Sequence, residues 1–276
     1  MTEPTWIAAA GGRRLAAYVQ GQGEQLVLLE VGLGAESASW AAVADGISRF
    51  ARVCFYDRAG RGRSDPATKP RQPEDLVQDL RLVVQALSPS RPVLLVGQSL
   101  GGLIVRLYAA AYPGDVAGIV LADSLHEDQF ERCSPLFPPA TEGEPPMLTG
   151  MRRFWSGGWR DSANNAEGID MLPMQAAGRR IGSLGSVPMR VLTAGGFMVP
   201  GSGFGEAGPK LQAAWDELHA RLAALSDRSR HHRVEDSGHF MQTDRPEAII
   251  EEVRDLVRCK PETAPPPEGA LHPPKE

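Results

Sequence analysis

The chain has 276 residues, 42% hydrophobic and 23% charged, which suits one α/β domain with an inserted segment and a sizeable core. Its 29 basic and 34 acidic residues leave a net charge of −5, and no basic block or RNA-binding signature occurs, so a nucleic-acid partner is not expected. Three cysteines, Cys54, Cys133 and Cys259, are odd in number, far apart and outside any CxxC, which indicates neither a disulfide framework nor a zinc knuckle.

The first residues, "MTEPTWIAAAGG", lack a charged region followed by a long apolar one. No apolar run approaches the roughly 20 residues of a membrane span. The expectation is a cytoplasmic, reducing setting without a membrane partner. "RRLAAYVQ" (13–20), "QLVLLE" (25–30) and "RVCFYD" (52–57) read as strands, with helical spacing from Trp40 to Phe50. From Pro73 the pattern alternates regularly. A helix runs over 73–87, with Pro at its start and Leu76, Leu80, Val83, Val84 and Leu87 on one face. A buried strand follows over 91–98, then a helix over 99–112 stopped by Pro113-Gly114, then a strand over 116–123. Residues 124–187 break the rhythm with many Gly and Pro, four Met and the cluster "FWSGGW" (154–159). The strand "MRVLTA" (189–194) restores it, followed by a helix over 210–225, a strand near 231–234 and a helix over 246–260. The tail 261–276 is Pro-rich and reads as disordered. Apolar strands alternating with helices specify a parallel sheet covered on both faces.

"GQSLG", Gly97 to Gly101, matches G-x-S-x-G between a strand and a helix. A turn this tight strains the serine backbone, needs small neighbours, and lifts the Ser99 hydroxyl above the C-terminal edge of the sheet. The blander alternative is a Ser N-cap after a Gly turn. On this motif and its setting, the chain resembles the α/β-hydrolase superfamily from about Arg13 to Lys260, in its single-domain branch of esterases, lactonases and proline iminopeptidases. "YDRAGRGRSD" (56–65) resembles the loop those proteins carry after strand four, where Asp57 and Arg58 are read as backbone-bonding, structural residues. The resemblance implies a mostly parallel eight-stranded sheet with helices on both faces. It divides the chain into a core of 1–123 and 188–260 and a small cap, 124–187, inserted after strand six. Related epoxide hydrolases and dehalogenases use aspartate where Ser99 stands; a serine alkoxide attacks acyl carbons, which points to esters, thioesters, lactones or amides.

The resemblance places the general base at His239, in the loop "EDSGHF" before the last helix. His231 and His232 are read as structural or exposed, and no metal site is indicated, since HExxH is absent. Two N–H donors are needed for an oxyanion: Leu100 after the nucleophile, and Leu33 in "EVGLGAES". That loop has Val31 where the family often has histidine. The family also often places its acid just after the strand "MRVLTA", but here Gly195, Gly196, Phe197 and Met198 follow. Asp123, at the end of the strand beside the elbow strand, is the expected acid, with Glu206 as the alternative and Glu127 and Asp128 as weaker candidates. The order Ser99, Asp123, His239 is that of α/β hydrolases.

Phe154, Trp155, Trp159 and Phe197, with Met147, Met151, Met171 and Met174, are candidates to line an apolar substrate pocket or to pack the inserted segment. Arg152 and Arg153 could meet an acidic group. Glu127, Asp128, Glu142 or Glu144 could receive the amine of an iminopeptidase substrate. The expected function is a cofactor-free serine hydrolase of a small-molecule ester or lactone. The same scaffold also serves lyases and ligand-binding proteins.

Overall fold

A computed structural model describes residues 3–197 and 204–259; the tail 261–276 lies outside them. In chain order the elements are β1 (Thr5–Ala8), β2 (Arg14–Gln20), β3 (Leu26–Glu30), α1 (Ala41–Ile47), β4 (Arg52–Tyr56), α2 (Pro73–Leu87), β5 (Val93–Gln98) and α3 (Leu100–Ala111). They continue with β6 (Val116–Ala122), α4 (Gln129–Cys133), α5 (Pro146–Ser156), α6 (Met171–Arg179), β7 (Met189–Ala194), α7 (Ala207–Ala223), β8 (Ser229–Val234), α8 (Met241–Asp244) and α9 (Pro246–Arg258).

The eight strands form one sheet in the order β1-β2-β4-β3-β5-β6-β7-β8. The β1–β2 and β2–β4 pairs are antiparallel, and every other pair is parallel. The period of two in the central strands decides how the core divides. In β3, Leu26 and Leu28 enter the apolar layer shared with α2, α3 and α7, while Val27 and Leu29 enter the layer shared with α1 and α9. β5 repeats the arrangement, with Val93 and Leu95 on one side and Leu94 and Val96 on the other. A strand buried on both faces favours apolar residues on both, hence the unbroken runs "LVLL" and "VLLV", each giving way to a buried polar group, Glu30 or Gln98, only at the strand's C-terminal end.

β1 was not foreseen from the sequence. It is an edge strand of four residues of which only Ile7 is buried, too short for an alternating pattern to register. The helix expected over Trp40–Phe50 is a 3₁₀ turn, Ser37–Trp40, followed by the shorter α1.

Between β6 and β7 the chain builds α4, α5 and α6, held by aromatic stacking. The Phe130 and Trp159 rings lie 4.7 Å apart and nearly parallel, and Trp155 meets Phe130 edge-on at 5.1 Å. Among the described residues, no helix is long and apolar enough to cross a membrane. The parallel strands β3, β4, β5, β6, β7 and β8 all end at one rim, so the loops after them converge there.

Candidate active site

Ser99 sits between β5 and α3 with φ 53° and ψ −122°, a backbone conformation that a side chain disfavours. The turn closes only because its neighbours are glycines. A Cβ on Gly101 would fall on the carbonyl oxygen of Glu30, and one on Gly97 would fall on the backbone of Gly101. The Ser99 carbonyl accepts the N–H groups of Gly102 (2.9 Å) and Leu125 (2.8 Å), which ties the elbow to the chain beyond β6.

His239 Nε2 lies 3.0 Å from Ser99 Oγ, and His239 Nδ1 lies 2.6 Å from Asp123 Oδ2. Asp123 has no exposed surface. Its other oxygen, Oδ1, accepts the Ala194 N–H at 2.9 Å and the Trp215 indole N–H at 2.8 Å. Burial alone would push this carboxyl up. The hydrogen bond from His239, the adjacent imidazoles and the Ala194 N–H outweigh burial and hold it below the usual carboxylate value. An ionised Asp123 can only accept, so the 2.6 Å contact calls for a proton on His239 Nδ1; in the neutral imidazole of that tautomer Nε2 is the acceptor facing the Ser99 hydroxyl. The histidine loop is held from beneath, where the buried Gln98 carboxamide donates to the His239 carbonyl at 2.8 Å.

The structure also accounts for the missing carboxylate after β7. A Cβ on Gly195 would fall on the carbonyl oxygen of Glu235, so no side chain fits there. At its end β7 instead supplies the Ala194 N–H that Asp123 accepts. Asp123 itself stands at φ 44°, a left-handed conformation that Asp tolerates better than most residues. Glu206 is exposed and precedes α7, and His239 has Asp123, not Glu206, as its carboxylate partner.

Ser99, His239, Gly32 and Leu33 share one pocket of about 370 Å³. Its walls are mainly apolar: Leu125, Phe130, Met151, Phe154, Trp155, Met171, Trp215 and Phe240, with Gln98 and Gln129 as further polar members. Phe154 and Trp155 therefore line it. Trp159 and Phe197 do not; both are buried behind the wall, Trp159 on Phe130 and Phe197 against Trp155 and Trp215. Of the methionines, Met151 and Met171 line it, Met174 is buried elsewhere and Met147 is exposed. Among the described residues, no Asp, Glu, Lys or Arg lines it. The acids considered for an amine are placed elsewhere: Glu127 pairs with Arg106, Asp128 with Arg179 and Arg221, Glu144 with Arg152, and Glu142 is exposed. Arg152 is thereby engaged, and neither it nor Arg153 reaches the pocket.

Trp215, Phe130, Gln98 and Ala194 escaped the sequence reading. Each acts across long separations with no local pattern; the Trp215–Asp123 bond spans 92 positions.

Beside Asp123 lies a second buried imidazole. His219 donates from Nε2 to the Ser124 carbonyl (2.9 Å) and accepts at Nδ1 from Thr193 Oγ1 (2.7 Å), which in turn faces His231 Nε2 (2.8 Å). Burial brings His219 down to about 4, against the attraction of Asp123. His126, buried near Glu127, Asp128, Arg106 and Arg221, is likewise brought down by burial to about 4. Both histidines are neutral in the fold and protonate near 6.5 in the open chain. As pH falls from 6.5 towards 4 the unfolded state binds protons first, so stability is lost on acidification, on the order of 3 kcal/mol per histidine. Urea denaturation of the wild type between pH 7 and pH 4.5 is expected to show this slope. His126→Gln should reduce it, leaving the part due to His219; superimposable slopes would mean that His126 is not a neutral buried group.

A family model for the alpha/beta hydrolase fold matches residues 25–171, more than half of the chain. The uncharacterized protein YqjL of Bacillus subtilis (strain 168) is 25% identical over 233 residues, covering 83% of this chain and 82% of that protein. Among solved structures, a thermophilic esterase from Thermogutta terrifontis superposes with a TM-score of 0.65 at 20% identity, over 93% of this chain and 98% of that one. Est816, an N-acyl homoserine lactone degrading enzyme, gives a TM-score of 0.59 at 16% identity, over 91% and 99%. At such identities the two structures speak for the fold alone. The family model, together with the sheet order and the strained serine elbow, places this chain in the α/β-hydrolase family.

Proposed function

We propose that this protein is a serine hydrolase of small, uncharged, apolar carboxylic esters or lactones, working through an acyl-enzyme. The observation that carries the reading is the line Ser99 Oγ–His239–Asp123, with spacings of 3.0 and 2.6 Å, opening on an apolar pocket that has no charged wall residue among the described residues. His239 Nε2 accepts the hydroxyl proton as Ser99 Oγ bonds to the acyl carbon. Asp123 keeps the imidazole in the required tautomer and stabilises the imidazolium that forms. The N–H groups of Leu33 and Leu100 receive the oxyanion; Leu100 opens α3, where a helix leaves its first donors free. His239 then passes its proton to the departing alkoxide. Water, deprotonated by the same nitrogen, attacks the acyl-enzyme and releases the acid.

The pocket walls carry the substrate class. A carboxylate or ammonium on the substrate would be buried there without a counter-charge, which is costly, so neutral acyl groups are favoured. The iminopeptidase alternative loses support, because an amine would find no carboxylate among the described residues of the pocket.

The test is labelling with a fluorophosphonate, alongside turnover of a nitrophenyl ester series from acetyl to octanoyl and of lactones with short and long acyl chains. The expected result is a covalent adduct on Ser99 and multiple turnover. Succinyl and aminoacyl esters should be at least tenfold poorer in kcat/KM than neutral esters of equal length. An unlabelled Ser99 with no turnover would instead favour a lyase or a ligand-binding role.

A further inference from the structure

The loop after β3 departs from the family resemblance at Val31, and a buried ionic cluster lies directly beneath it. Arg58, 2% exposed, donates from Nη1 to the Val31 carbonyl (2.6 Å) and from Nη2 to the Gly32 carbonyl (2.7 Å). The same guanidinium meets Glu30 at 2.8 Å and grips Glu167 with two nitrogens, at 2.7 and 2.5 Å. Glu167 Oε1 also accepts the Gly34 N–H at 2.7 Å. Three backbone groups flanking Leu33 are therefore held by one guanidinium and one carboxylate.

The consequence for Leu33 follows from the planar trans peptide. Its N–H shares a peptide unit with the Gly32 carbonyl, and the two point in opposite directions. Arg58 pulls the Gly32 oxygen one way and so aims the Leu33 N–H the other way. Glu167 secures the far side of the loop through Gly34 and keeps Arg58 in its fork geometry.

Glu167 comes from the segment between β6 and β7, 109 positions from Arg58. Its stretch of chain is seated on the loop before α2. Arg71 and Ile169 form a parallel bridge, Arg71 N–H donates to the Gly168 carbonyl at 2.8 Å, Asp170 N–H donates to the Arg71 carbonyl at 2.9 Å, and Lys69 bonds the Ala166 carbonyl at 2.8 Å. Four residues on, Met171 is a wall of the pocket.

We propose that Glu167 is a positioning residue for the oxyanion donor Leu33, acting through Arg58 and Gly34 and tying the segment that walls the pocket to the loop that must receive the developing charge. This rests on the hydrolase reading above. Glu167 touches no substrate. A donor aimed in advance at the tetrahedral oxygen stabilises the transition state more than the ground state, so its misaiming lowers kcat while leaving KM nearly unchanged.

The experiment compares wild type, Glu167→Gln and Glu167→Ala on a neutral nitrophenyl ester, and measures inhibition by an alkyl trifluoromethyl ketone, whose tetrahedral adduct needs the oxyanion donors. Glu167→Gln should lower kcat about tenfold and Glu167→Ala about a hundredfold, with KM within about threefold and ketone affinity falling in step with kcat. Thermal melts establish that each variant folds. If Glu167→Ala does not fold, the triple change Glu30→Gln, Arg58→Met and Glu167→Leu removes all three buried charges and still frees the loop, and the same loss of kcat is expected. A folded variant with kcat and ketone affinity within twofold of wild type overturns the assignment alone. A wild type that turns over no ester and binds no ketone overturns the hydrolase reading, and this assignment with it.

Discussion

Exchange of Asp123 for Asn is expected to lower kcat about 10⁴-fold with the fold intact, whereas Glu206→Gln leaves kcat near wild type. The geometry supplies the reason. Asp123 Oδ1 is held by two donors, the Ala194 N–H and the Trp215 indole, so an amide at this position would put its oxygen there. Its NH₂ would then face His239 Nδ1 across the 2.6 Å contact. An NH₂ can only donate, which would drive the imidazole proton to Nε2 and turn that nitrogen from an acceptor into a donor towards Ser99. The loss corresponds to about 5.4 kcal/mol of transition-state stabilisation. Steady-state kinetics with a thermal melt on the same preparation decide it. A kcat within tenfold of wild type in a folded Asp123→Asn protein would remove this residue from the mechanism.

The second large effect separates chemistry from strain at one position. Ser99→Ala and Ser99→Gly should each lose about 10⁶-fold in kcat and all fluorophosphonate labelling, because both remove the attacking oxygen. Their stabilities should differ. At φ 53° and ψ −122°, any residue with a Cβ is strained by roughly 1–3 kcal/mol. Alanine keeps that strain, whereas glycine releases it at an entropic cost of roughly 0.5–1 kcal/mol. Ser99→Gly should therefore be more stable than Ser99→Ala by about 1 kcal/mol, roughly 3 °C in Tm for a domain of this size. Denaturant titration of the three proteins measures it. A glycine variant less stable than the alanine variant would mean that the elbow stores no strain.

Much of the sheet was legible in advance because its strands are buried on both faces, and burial on both faces leaves an unbroken apolar run that few other structures produce. β1 left no such trace, having one buried residue in four. Phe154 and Trp155 belong to the pocket wall while Trp159 and Phe197 stand behind it, although all four are aromatic and three of them lie within six positions. Composition marks a residue as apolar; it does not say which neighbour reaches the surface first.

The sequence alone determined the alternation of strands and helices, the glycine-flanked serine between β5 and α3, and the order of Ser99, Asp123 and His239 along the chain, because each is written in local spacing and local steric need. Only the tertiary structure decided that Asp123 faces His239, that Trp215 and Ala194 hold the other carboxylate oxygen, and that Glu167 and Arg58 grip the loop carrying Leu33. Those contacts join residues 71 to 133 positions apart, save Arg58 to the loop at 26, and no local pattern can record a hydrogen bond whose partner arrives from a distant part of the chain.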